Sequence, residues 1–73
     1  MVQVTAIFQG SELAFGEGDT FQYAAEECMS GLDPMYTADH ETVRFIDLLQ
    51  VGDKNLPKFV SLEQVFYAPR QYF

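Results

Sequence analysis

The run from Gly16 to Leu32 constrains this chain more than any other stretch, because it alone has a marked start, a periodicity and a marked stop. Asp19 stands where an N-cap carboxylate accepts hydrogen bonds from the free N–H groups of a first helical turn. Gln22, three residues on, has the spacing of its capping-box partner. Phe21, Ala24, Ala25, Cys28 and Leu32 then fall on one helical face, with Met29 at its edge. Gly31 suits a left-handed C′ residue, and Asp33-Pro34 prevents the helix from resuming. The opposite face carries Gln22, Glu26, Glu27 and Ser30, and the helix has no basic residue. Such a helix needs an apolar layer to lie on.

The preceding residues supply that layer. Val2 to Gln9 alternates, Glu12 to Phe15 alternates, and Gly10-Ser11 between them suits a type II′ hairpin turn. This turn pairs Gln9 with Glu12, Phe8 with Leu13, and Ala6 with Phe15. Val4, Ala6, Phe8, Leu13 and Phe15 then share the core face, while Gln3, Thr5, Gln9 and Glu12 share the other. Ile7 and Ala14 are expected on the outer side, as a small apolar patch. Gly16 and Gly18 read as turn residues. A phosphate cradle is disfavoured, because Glu17 and Asp19 would repel the anion and the dinucleotide and Walker patterns are missing.

Beyond the helix, Leu32 to Glu41 reads as a loop with a turn at Asp33-Pro34. Thr42 to Val51 reads as a strand through its β-branched and aromatic residues, although Asp39, Glu41 and Gly52 would also suit a short helix. Phe45-Ile46 and Leu48-Leu49 break alternation, so this strand is expected to be buried on both faces or bulged. Gly52 to Pro57 reads as a connecting loop and Lys58 to Tyr67 as a final strand. Ser61-Leu62-Glu63-Gln64 offers a competing capping-box spacing for one helical turn. The tail Ala68 to Phe73 is aromatic and lacks acids. The order β-β-α-β-β describes one α+β domain over residues 1–73, a helix packed on an antiparallel sheet.

At 73 residues the chain buries only about 60% of its unfolded surface, so its core is thin. Eleven aromatics exceed what such a core readily hides, and some are expected to face a partner or a second copy. Charge is divided along the chain. From Met1 to Val43 there are eight acids and no Lys or Arg; from Arg44 onward four bases meet three acids. Direct contact with nucleic acid or an anionic membrane is disfavoured, since either needs a basic footprint. No window approaches the roughly 20 apolar residues of a membrane span. The N-terminus has neither the basic nor the apolar region of a signal peptide, so a cytoplasmic protein is expected. Cys28 is alone and sits on the apolar helical face, the pattern of a buried structural thiol.

No cofactor motif, calcium-loop spacing or zinc ligand set is present, and a Cys28–His40 nucleophilic pair is disfavoured by the inward position of Cys28. An enzyme is not expected. Gly10-Ser11-Glu12-Leu13-Ala14, followed by Gly16-Glu17-Gly18-Asp19-Thr20 and an Ala-rich helix, resembles the strand–turn–helix of small antitoxin domains of the HicB type. In layout it is also similar to the last strand and helix of double-stranded RNA-binding domains. That family has a Lys-rich motif at the helix start; here Phe21, Gln22 and Tyr23 stand there, and RNA binding is not implied.

The first functional expectation is an acidic protein-interaction module, an inhibitor of the phage or mobile-element kind. Its carboxylates would stand in for phosphates and mask a basic surface of a nucleic-acid-handling partner. The candidate contacts are Glu12, Glu17, Glu26, Glu27, Asp33, Asp39 and Glu41. The alternative is a regulatory or antitoxin-like accessory protein acting as a homodimer through outer apolar residues and the aromatic tail. The same acids also serve the solubility of a small domain.

Overall fold

The computed structural model describes residues 1–52 and 55–67. Val2–Phe8 forms β1 and Ser11–Gly18 forms β2. The helix α1 is Phe21–Ser30, followed by the single turns α2, Pro34–Thr37, and α3, His40–Val43. Ile46–Gly52 is β3, Asn55–Ser61 is β4 and Leu62–Tyr67 is α4. The strands form one antiparallel sheet in the order β2-β1-β3-β4. One buried cluster joins Val4 and Ala6 of β1 to Ile46 and Leu48 of β3 and Val60 of β4. From the helices it takes Ala24, Ala25 and Cys28 of α1, Val43 of α3, and Leu62 and Val65 of α4. The helices therefore lie on one side of the sheet, in the expected α+β arrangement.

The hairpin forms with a shifted register. Its turn is Gln9-Gly10, with φ of 52° and 81°, so both central residues are left-handed as a type I′ turn requires. Phe8 pairs with Ser11 and Ile7 with Glu12. A bulge beside Leu13 then resets the ladder, so that Ala6 pairs with Ala14 and Thr5 with Phe15. The consequence is a swap of faces. Ala14 turns to the core instead of outward, and Phe15, expected inside, is 53% exposed. Leu13 still packs against the core, as do Phe8 and Val2. Ile7 keeps its outer position.

Gly16 gives the physical reason for the reset. A Cβ built there would lie 2.3 Å from both the Ala24 carbonyl oxygen and the Cys28 nitrogen. The α1 backbone rests directly on β2 at this point, with only small side chains around the contact. Only the bulged register turns Gly16 inward, so this glycine is a packing residue rather than a turn residue.

The ends of α1 also differ from expectation. Thr20, extended at φ −130°, is the N-cap, and its Oγ1 accepts from the Tyr23 N–H at 3.2 Å. Asp19 therefore lies one residue outside the helix, and Gln22 donates to Glu26 at 3.4 Å instead of closing a capping box. Gly31 is right-handed, at φ −85°, and its N–H donates to the Cys28 carbonyl at 3.1 Å. The predicted inner face holds: Ala24, Ala25, Cys28 and Leu32 are buried, with Phe21 and Met29 half-buried beside them.

The segment expected to be a loop from 32 to 41 contains two helical turns. Asp33 Oδ1 accepts from the Met35 N–H at 3.1 Å, and Pro34 at the first helical position lacks only an N–H that needs no partner. Asp39 works similarly at α3, accepting from the Glu41 N–H and the Thr42 hydroxyl, each at 3.1 Å. This cap overrides the β-branched preference of Thr42 and Val43, so the strand begins at Ile46 rather than Thr42. In β3, Ile46, Leu48 and Gln50 face the helices while Asp47, Leu49 and Val51 face away. The strand is apolar on both sides because Leu49 and Val51 belong to the outer face. Gly52 ends β3 and β4 starts at Asn55, so the expected loop is shorter; Asp53 and Lys54 lie outside the described residues. At Leu62 the competing helical signal prevails over the strand expected to run to Tyr67, burying Leu62 and Val65. The aromatic tail, residues 68–73, also lies outside the described residues.

Candidate functional site

All eight acids of the first 43 residues have exposed side chains. Asp19 precedes the N-cap of α1, and the other seven divide into three groups. Glu12 and Glu17 pair with Ile7 and Gln3, which puts them on the outer face of the sheet. Glu26 and Glu27 project from the solvent side of α1, across the sheet from that face. Asp33, Asp39 and Glu41 belong to the α2–α3 segment. There Asp33 and Asp39 are engaged as caps, and Glu41 lies 3.9 Å from Arg44. The seven expected contact residues thus form an acidic shell around the domain rather than one patch. Asp33 and Asp39 have structural work irrespective of any partner.

Cations among the described residues are few. Arg44 sits between Glu41 and Glu63, its Nε 3.6 Å from Glu63 Oε2, tying α3 to α4. Exposure of these side chains keeps the pairs weak, on the order of a few tenths of a kcal/mol. Lys58 is exposed on β4, opposite Gln50.

Cys28 is fully buried on the inner side of α1, and burial pushes its thiol up, outweighing an interaction with the Ala6 backbone that lowers it. That is opposite to the tuning of a reactive thiolate. Among the described residues, no three His, Cys, Asp or Glu side chains gather where they could hold a metal ion. No helix among them is long and apolar enough to cross a membrane. Among the described residues, Gln50 is the buried polar side chain, and no buried side-chain nitrogen or oxygen lacks a partner.

Surface features missed from the sequence are the exposed apolar side chains of the outer face. Phe15, Val51 and Phe59 are 53%, 38% and 64% exposed. The hairpin bulge that turns Phe15 outward has no strong local marker. Phe59 and Asp47 would have been found by carrying strict alternation through β3 and β4 from Ile46. No protein-family model, curated protein or solved structure matches the chain. The likeness to antitoxin domains therefore rests on the strand–turn–helix alone.

Proposed function

We propose that this chain is a small acidic protein-interaction module that covers a basic surface of a nucleic-acid-handling partner in the cytoplasm. It acts as an inhibitor by presenting carboxylates where the partner expects phosphates. The carrying observation is the acidic shell: eight exposed acids precede the first Lys or Arg of the chain. A field of one sign steers oppositely charged partners and rejects nucleic acid and anionic lipid. The module works by binding rather than catalysis, in keeping with a buried thiol that burial pushes up. The exposed outer aromatics also fit the homodimeric, antitoxin-like alternative, and the assembly state separates the two.

The test is affinity capture from the native host on the immobilised protein, followed by elution with salt and with heparin as a phosphate-like polyanion. The expected result is a basic nucleic-acid-binding protein released by both. Retention of nothing basic, or a captured protein that heparin does not release, overturns the proposal.

A further inference from the structure

No described element covers the sheet face turned away from the helices. One cross-strand row, Phe15–Thr5–Leu49–Phe59, traverses all four strands of it. Phe15 and Phe59 stand at the two edges, 53% and 64% exposed, and Ile7 and Val51 lie on the rows to either side. At about 4.8 Å between strands, the row is about 14 Å long. Roughly nine residues of α-helix cover that length, enough to present three or four apolar side chains in one stripe.

Acids border this row. Glu12 and Asp47 lie on the Ile7 side, and Glu17 on the Gln3–Val51 side. The described Lys and Arg side chains lie elsewhere: Lys58 pairs with the inward-facing Gln50, and Arg44 follows α3. We infer that the outer face is a docking platform for an amphipathic helix of a partner protein, with Lys or Arg on both sides of its apolar stripe. The inference rests on the proposed acidic-module function and adds where the partner binds and in what form.

Charge complementarity selects this occupant. In an isologous dimer, Glu12, Glu17 and Asp47 of one copy would be set against the same acids of the other, with no described Lys or Arg between them. A single-stranded nucleic acid could stack on the two phenylalanines, but its phosphates would meet the same acids. A basic amphipathic helix neutralises the border while its stripe covers Phe15, Leu49 and Phe59.

The probe is a labelled synthetic helical peptide with a leucine stripe flanked by lysines. Its controls are the scrambled sequence and the version with glutamates for lysines. Fluorescence anisotropy should show binding of the lysine peptide alone. Backbone amide shifts in the unmodified protein should concentrate on the outer-face residues of the four strands. Phe15→Ser/Phe59→Ser should weaken binding about tenfold or more. Glu12→Lys/Glu17→Lys should weaken it strongly at low salt and little at high salt. Glu26→Lys/Glu27→Lys, across the sheet, should change it by no more than about twofold.

Shifts confined to α1, with loss of binding on Glu26→Lys/Glu27→Lys, would overturn the platform and leave the acidic-module function standing. Failure to bind any cationic peptide at low salt would remove both. Binding of oligouridylate on the same face, or self-association abolished by the Phe15→Ser/Phe59→Ser change, would overturn the choice of occupant. The amide-shift map needs no variant, so it decides even if the double serine protein fails to fold.

Discussion

Replacing Gly16 with alanine adds one methyl group at the contact on which the helix–sheet packing depends. The new Cβ would lie 2.3 Å from the Ala24 oxygen and the Cys28 nitrogen. In an α-helix these two atoms are the ends of one i→i−4 hydrogen bond, so neither can turn away without breaking it. Relief requires α1 to withdraw by about 0.7 Å to reach the 3.0 Å below which Cβ contacts are essentially never seen. A gap of that size forfeits about a quarter to a half of the dispersion energy of the facing atoms. The facing side chains, Ala24, Ala25 and Cys28, are all fully buried. We expect a loss of about 3 kcal/mol, the upper part of the range for overpacking. A domain of this length has a total stability of about 4–11 kcal/mol. With a urea m-value of about 1 kcal/mol/M, the unfolding midpoint should fall by about 3 M. Gly10→Ala is the control: nothing lies within 4 Å of its added Cβ, and its φ of +81° alone should cost about 1–2 kcal/mol. A Gly16→Ala midpoint within about 0.5 M of the parent would refute the close packing of α1 on β2.

Four further outcomes follow from the same structure. Thr20→Ala should lose about 1 kcal/mol by freeing the Tyr23 N–H, whereas Asp19→Ala should change urea stability little. Phe8→Ala should cost about 3 kcal/mol and Phe15→Ala less than about 0.5, a contrast that reports the bulged register directly. Cys28 should resist a thiol reagent in the folded protein and react on unfolding; because its folded thiol is held above the ordinary value, its contribution to stability is complete below about pH 8.5 and is lost as the pH rises through the folded value, as denaturation at successive pH values will show. Glu26→Lys/Glu27→Lys removes carboxylates from the C-terminal half of a helix without a basic last turn, and should leave Tm unchanged or raise it by about 1–3 °C.

Much of the architecture could be read from local signals that agree with one another. The inner face of α1 followed from the spacing of Ala24, Ala25, Cys28 and Leu32, because one period governs the whole helix. The sheet and its antiparallel sense followed from alternation and a glycine-bearing turn. What escaped was decided across space. Gly16 faces inward because the helix backbone needs room there, and the bulge that places it so also sends Phe15 outward. Asp33 and Asp39 looked like surface acids, yet their carboxylates cap single helical turns within a stretch that reads as a loop. The acidic shell was visible as composition. Its division between the two sides of the sheet was not, because each position depends on register.

The proposed function has exposed carboxylates guiding this protein to a basic partner. Its most direct test is the association rate with the captured basic partner, measured by stopped flow from low to high salt. For the parent, the rate should fall by about tenfold or more as screening increases. Glu12→Lys/Glu17→Lys should associate more slowly at low salt and converge on the parent at high salt. A parent rate that does not change with salt would contradict the claim and leave the acids with solubility alone.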